Sequence, residues 1–240
     1  MISTSPDRKP VATEDGSAAT LQVDVIADLV CPWCYLGKRR LTDALAAVRG
    51  PSHVRWVPFQ LNPAIPEQGM PLGDYLRERF GDPAAIEPAM AELTRRGLAE
   101  GVHFRFDRIE RIPNTLNAHR LMRFAEASGV NTTAVAEDLL KGFFEEGLNI
   151  ADRDVLAEIG SRQGMPAADV FETLGDEIER RAVLAQEAQV RQTGVSGVPD
   201  FLINRRLLVV GAQSTATLID VFDRVMFGEE SNYPVSETLH

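Results

Sequence analysis

Val30-Cys31-Pro32-Trp33-Cys34-Tyr35 stands where a β-leaning run gives way to helical periodicity. Upstream, Leu21, Val23, Val25 and Ile26 read as a short strand ending near Leu29-Val30. Downstream, Cys34, Leu41, Leu45 and Val48 fall at i, i+7, i+11 and i+14, one stripe of a helix that Gly50-Pro51 stops. Cys31 therefore belongs at the helix N-terminus, where unsatisfied N–H groups and the helix dipole favour an anion. Pro32 suits the first turn, because its missing N–H would have no intrahelical partner.

That position is informative for a cysteine pair. The thiolate is the attacking species in disulfide exchange, and each unit by which its pKa falls is worth about 1.36 kcal/mol in favour of the ionised form. Cys34, one turn on and deeper on the apolar stripe, is placed to attack a mixed disulfide on Cys31 and release the product. Two other readings compete. Zinc needs four ligands, yet there is no second cysteine pair, and His53, His103, His119 and His240 are scattered. A buried inert pair leaves its place between strand and helix unexplained. The pair is read as redox-active, with no metal.

Working outward, His53 to Gln60 alternates as a second strand, parallel to the first because a helix intervenes. Between Leu61 and Thr193 strand signals nearly vanish. Ile86/Met90/Leu93, Val135/Leu139/Phe143, Val155/Ile159 and Val170/Leu174 repeat at helical spacing, and Asp176 to Gln192 is a long charged helix. Five or six amphipathic helices are expected there. Strand character returns at Phe201-Leu202-Ile203 and Leu207 to Val210, with Asn204-Arg205 as a tight turn between them. Ser214 is a candidate N-cap for a last helix carrying Leu218, Phe222 and Val225. The order is βαβ, a helical insertion, then ββα.

Composition narrows the classes. The 240 residues carry 25 Lys+Arg against 35 Asp+Glu, a formal charge of −10, with no basic arm, so no nucleic-acid partner is expected. No apolar run approaches the ~20 residues of a membrane span, so no membrane partner is expected either. Residues 1–20 lack the apolar core of a secretory signal and read as a disordered leader, which points to the cytoplasm. Residues 229–240 read as a loose tail in which Tyr233 and Pro234 could dock. Cytosolic thiols are kept reduced, which again favours a catalytic pair over a structural one.

The second informative piece is Gly194-Val195-Ser196-Gly197-Val198-Pro199, just before a strand. Taken alone, Pro199 is read as trans, since only about 5–6% of X–Pro bonds in folded proteins are cis. Taken with the cysteine pair and the element order, the chain resembles the thioredoxin superfamily, specifically the DsbA-like group called FrnE-type proteins. Asp28 to Arg40 carry the likeness, as do Phe59-Gln60-Leu61-Asn62-Pro63, Phe106-Asp107-Arg108, Pro113-Asn114-Thr115, Ala118-His119-Arg120-Leu121 and Gly211-Ala212-Gln213. It runs from about Leu21 to Phe227.

The resemblance implies an α/β thioredoxin fold with an all-helical domain inserted between strands two and three. Residues 21–66 and 194–228 would form the thioredoxin-fold domain and 67–193 the insertion. It implies a cis Pro199 against the cysteine pair, with the Val198 backbone free to pair with an extended thiol-bearing substrate. Relatives that are glutathione-using isomerases and transferases put a serine where Cys31 stands, so Cys31 favours disulfide exchange. Asp200 departs from the apolar residue usual after that proline, and a carboxylate near Cys31 would oppose thiolate formation. The extra C-terminal cysteine pair of some FrnE-type proteins is absent.

The expected activity is thiol–disulfide exchange, with Cys31 and Cys34 catalytic and Trp33, Val198, Pro199 and Asn114 as substrate-binding residues. Thiol- or disulfide-bearing proteins are the expected partners, with glutathione as a candidate co-substrate and no resident cofactor. A homodimer is compatible with the family, though no residue argues for it. The alternatives are a glutathione-dependent isomerase or transferase acting on an aromatic or polyketide-like molecule, and a non-enzymatic chaperone or binding module. Among other residues, Lys38, Arg39 and Arg40 are read as a solvated helix face, and Asp28 as a turn residue ahead of the alternative that it accepts a proton from Cys34. Asn114 is equally an N-cap, His119 is structural, and Phe143, Phe144 and Met122 are core of the insertion.

Overall fold

β1 (Leu21–Ala27) is apolar on both faces, and α1 (Pro32–Ala47) packs its apolar stripe against the face that carries Val23 and Val25. The structure is a computed structural model that describes residues 20–48 and 50–227. The leader apart from Thr20, residue 228 of the expected thioredoxin-fold domain, and the 229–240 tail with Tyr233 and Pro234 lie outside the described residues.

After α1 the chain enters β2 (Ser52–Pro58), which runs parallel to β1 with Val25 opposite Trp56. It then forms β3 (Met70–Pro71), α2 (Leu72–Phe80), α3 (Glu87–Ala99) and β4 (Arg111–Ile112). Five helices follow: α4 (Leu116–Ala127), α5 (Thr132–Lys141), α6 (Arg153–Arg162), α7 (Ala167–Gly175) and α8 (Glu177–Gln192). The chain returns as β5 (Asp200–Ile203) and β6 (Leu207–Val210) and ends in α9 (Thr215–Phe227). The sheet order is β2-β1-β5-β6, with β5 antiparallel to both neighbours. This is the βαβ…ββα thioredoxin arrangement.

Two differences from the sequence reading have local causes. Met70–Pro71 pairs with Arg111–Ile112 as a two-residue ribbon within the otherwise helical segment. Strands that short contain no alternation to detect. α2 was not anticipated, although Leu72, Tyr75, Leu76 and Phe80 fall at i, i+3, i+4 and i+8; none of its residues is fully buried, and Leu72 and Tyr75 only lean on the core. By contrast, the Asn204-Arg205 turn is as expected. Both residues have positive φ, 48° and 55°, and Arg206 N–H donates to Ile203 C=O at 3.0 Å, the geometry of a type I′ hairpin turn. The Ser214 cap also forms, with Oγ accepting from Thr217 N–H at 3.1 Å.

The sheet has two unlike faces. Val23, Val25, Phe201 and Ile203 join Leu36 and Leu41 of α1 and Leu218, Phe222 and Met226 of α9 in the main core. Each such side chain contributes roughly 1.5–3 kcal/mol by leaving water. That core continues into the helical segment through Phe143, Phe144 and Met122, all buried as expected. On the opposite face Ile26, Val57 and Phe59 pack with Val190, Val195 and Val198.

Candidate active site

α1 begins with Pro32 at its first position and Cys31 as N-cap, in extended backbone (φ −91°, ψ 116°). The Cys31 carbonyl accepts from Cys34 N–H at 3.0 Å and Tyr35 N–H at 3.3 Å. No side chain caps the helix and no acidic residue lies in its first turn, so the positive end of this 16-residue helix faces the Cys31 sulfur. The two cysteines are not bonded to each other.

Cys34 is 1% exposed, and burial pushes its thiol well above the usual value, reinforced by the hydrogen bond to Cys31. The Asp28 peptide N–H acts the other way, and the Asp28 carboxyl charge raises it further. The turn role expected for Asp28 covers only its backbone, whose carbonyl accepts from Cys31 N–H at 3.2 Å. Its side chain is fully buried: Oδ2 accepts from Leu61 N–H at 2.7 Å, while Oδ1 lies 3.6 Å from His119 Nε2. Neither of those two facing atoms has a hydrogen-bond partner. Asp28 and His119 are therefore a buried titratable pair behind the cysteines.

The Val198–Pro199 peptide is cis, and Cys31 Sγ donates to Val198 O at 3.6 Å. α1 reaches that close because Gly37 has no side chain: a Cβ there would lie 3.0 Å from Pro199 Cγ and 3.2 Å from the Phe201 ring. With Phe201 turned to α1, strand alternation directs Asp200 to the other face. There Asp200 Oδ1 accepts from Gly211 N–H at 3.1 Å, and burial raises its pKa to about 6. Asp200 thus spends its hydrogen bond on the Gly211 N–H after β6. Trp33 is 38% exposed at the start of α1, with the Arg96 guanidinium 5.6 Å from its ring centroid.

The structure thus brings Cys31, Cys34, Trp33, Val198 and Pro199 together. Asn114 is tied instead to the segment after β2. Its Oδ1 accepts from Leu116 N–H at 2.9 Å and its Nδ2 donates to Ile65 O at 2.7 Å, which ties the start of α4 to the segment after β2. Among the described residues no hydrogen bond joins it to the cysteine loop.

The solvated face expected at Lys38-Arg39-Arg40 is largely absent. Lys38 is buried and paired with Glu137 of α5, and Arg40 grips Glu100 with two nitrogens at 2.7 and 2.5 Å. Only Arg39 is half-exposed, 3.5 Å from Asp43. Tyr35 Oη donates to Glu145 at 2.9 Å with Glu137 alongside, and burial, then the Glu137 charge, raises its pKa far above normal. Its ring packs on Phe104 and Phe144. These contacts clamp α1 to the helical segment, and helical periodicity could not identify them because the partners are about 60 to 110 residues away. Among the described residues no group of three or more His, Cys, Asp or Glu could hold a metal, and no helix is long and apolar enough to cross a membrane.

A thioredoxin-type sheet with two free thiols at the start of its first helix, one against a proline peptide, defines the class of DsbA-like thiol oxidoreductases. The chain belongs to the DSBA-like thioredoxin domain family, which it matches over residues 22–223. A probable DsbA oxidoreductase from Streptomyces coelicolor is similar in structure, with TM-score 0.78 and 27% identity over 90% of this chain and 93% of that one. The cytosolic disulfide reductase DsbM from Pseudomonas aeruginosa, solved with glutathione, shares the fold at TM-score 0.60 and 22% identity, covering 85% of this chain and 96% of that one. In sequence, the uncharacterized YwbO of Bacillus subtilis is 24% identical over 216 residues, 88% of this chain and 98% of that protein.

Proposed function

We propose that the protein is a thiol–disulfide oxidoreductase of the FrnE type, working through Cys31 and Cys34. The observation that carries this reading is the Cys31 thiol at the uncapped start of α1, 3.6 Å from Val198 O, with the buried Cys34 thiol one turn on. Cys31, as thiolate, attacks a substrate disulfide and forms a mixed disulfide, while the leaving sulfur takes up a proton. Cys34 loses its proton to the Asp28–His119 side and attacks the Cys31 sulfur. The second substrate thiol leaves and an enzyme disulfide remains, so two electrons pass from enzyme to substrate. The reverse sequence oxidises a dithiol.

Burial of Cys34 is compatible with this division of labour, since a protonated resolving thiol leaves the first attack to Cys31. Trp33, Val198 and Pro199 would form the substrate wall, and Asn114 would support it by holding the segment after β2. Residues 21–66 with 194–228 would act as the thioredoxin-fold domain and 67–193 as an insertion covering one end of it, in a cytoplasmic protein. Disulfide-bearing proteins and glutathione are the proposed partners. Cys31→Ser abolishes insulin-disulfide reduction, and Cys34→Ser accumulates mixed disulfides visible by mass spectrometry. Full activity in the Cys31 variant overturns the proposal.

A further inference from the structure

The proton that Cys34 gives up has to leave a site closed over by protein, for Cys34, Asp28 and His119 are all buried. Asp28 Oδ1 and His119 Nε2 face each other across 3.6 Å, and neither has a hydrogen-bond partner. That separation is too long for a hydrogen bond, yet one proton shared between the two atoms would satisfy both. The pair is joined to the cysteines through Asp28, whose carbonyl accepts from Cys31 N–H at 3.2 Å and whose charge bears on Cys34. Other buried charges on the packed elements are already engaged. Glu187 of α8 is held by Arg191 and accepts from Gln60 N–H at 2.9 Å, and Lys38 of α1 is paired with Glu137. His119 also lines a small cavity of about 10 Å³, room for a single water molecule. It lies between the β1 and β2 ends on one side and α4 and α8 on the other, with His119, Gln186, Arg123 and Glu126 as its polar wall. Gln186 and Arg123 are half-buried, Arg123 meeting Glu179 at 2.9 Å, and Glu126 is exposed. Polar groups therefore lead from His119 to the surface.

The geometry points to a proton outlet through the helical segment, in which His119 relays the Cys34 proton from Asp28 to one water bound in this cavity among His119, Gln186 and Arg123. The inference rests on the disulfide exchange proposed above and adds the route by which its proton leaves. The steps balance. In the mixed disulfide Cys34 is still a thiol. Its proton passes to the Asp28 carboxylate and on to His119 Nε2, and the imidazole ring releases a proton to the water. The Cys34 thiolate attacks the Cys31 sulfur, the Cys31–substrate bond breaks, and its electron pair leaves with the substrate sulfur, which takes a proton from solvent. When a dithiol reduces the enzyme disulfide, the same groups return a proton to Cys34. His119 acts on Cys34 through Asp28 and touches no substrate, so it is a positioning residue. Cys31 carries the substrate while Cys34 ionises, so a route through α4 and α8 frees this step from the way the substrate covers the thiols.

The test follows the reduced full chain against excess dithiobis(2-nitrobenzoate) in a stopped-flow absorbance experiment. Attack by Cys31 releases one coloured thiolate, and attack by Cys34 on the resulting mixed disulfide releases the second, so the two steps are read separately. His119→Gln is expected to slow the second phase about tenfold near pH 7 and leave the first within about twofold. Gln186→Leu, a half-buried position outside the thiol site, removes a partner of the water and should slow the second phase about fivefold. Both deficits should close in alkali, where hydroxide takes the Cys34 proton directly; a merely structural role would not produce that pH dependence. A second phase unchanged in both variants, or slowed equally at every pH, overturns the outlet while leaving the oxidoreductase reading intact. If the wild type shows no first phase, both fall together.

Discussion

Asp200 offers the sharpest physical test, because its burial has a calculable cost with a definite pH dependence. It sits between Ile26 of β1 and Val210 of β6 in register, 5% exposed, with one hydrogen bond from Gly211 N–H. Burial raises its pKa from 3.8 to about 6. At 1.36 kcal/mol per unit this corresponds to roughly 2–3 kcal/mol against the folded state once the carboxyl ionises. Below the unfolded value both states are protonated and there is no penalty. As pH rises through the folded value, the native state must give up a proton that it holds more tightly than the unfolded chain does, and stability falls. Asp200→Asn keeps the acceptor for Gly211 but cannot ionise. The variant should be more stable than wild type by about 2–3 kcal/mol near pH 8, the gain fading to nothing below about pH 3. For a domain of this size that corresponds to about 5–10 °C in Tm. Urea unfolding followed by circular dichroism across the pH range measures it. A gain independent of pH, or a wild type that is more stable than the variant in alkali, would refute the reasoning.

Other consequences follow from the same contacts. Gly37→Ala places a methyl 3.0 Å from Pro199 Cγ, so it should cost about 1–3 kcal/mol in urea unfolding and slow disulfide exchange by moving α1 off Pro199. Lys38→Met leaves Glu137 beside Tyr35 and Glu145 without its cation, an expected loss of about 1–3 kcal/mol that Glu137→Gln in the same chain should partly restore in a double-mutant cycle. With Cys34 held protonated by burial, iodoacetamide near pH 8 should label Cys31 first, with Cys34 reacting only as the solution becomes strongly alkaline. Peptide mapping by mass spectrometry distinguishes the two, and preferential labelling of Cys34 would contradict the assignment of its environment.

Much of this architecture was readable from local pattern. The Leu21–Ile26 run, the stripe from Cys34, the Asn204-Arg205 turn and the Ser214 cap each depend on residues within one turn or one strand of each other. Hydrophobic period and turn chemistry report such neighbours directly. The place of Cys31 at the head of α1 is of the same kind, since Pro32 and the onset of helical spacing mark it. α2 is nine residues long with a stripe that is only partly buried, and the Met70–Arg111 ribbon is too short to show alternation.

The electrostatic character of the site was not of that kind. Lys38 in sequence is one cation of three on a helix; in the folded chain it is a buried partner of Glu137, 99 residues away. Asp28 looks like a turn residue until β2 brings Leu61 N–H to one oxygen and α4 brings His119 toward the other. Asp200 follows the proline by one position, yet strand alternation sends it to the opposite face from Phe201. Burial and charge pairing depend on which distant segments share a volume, and their energies rise steeply as water leaves. Local spacing could therefore state where a reactive sulfur would stand, while only the packed chain decided which charges surround it.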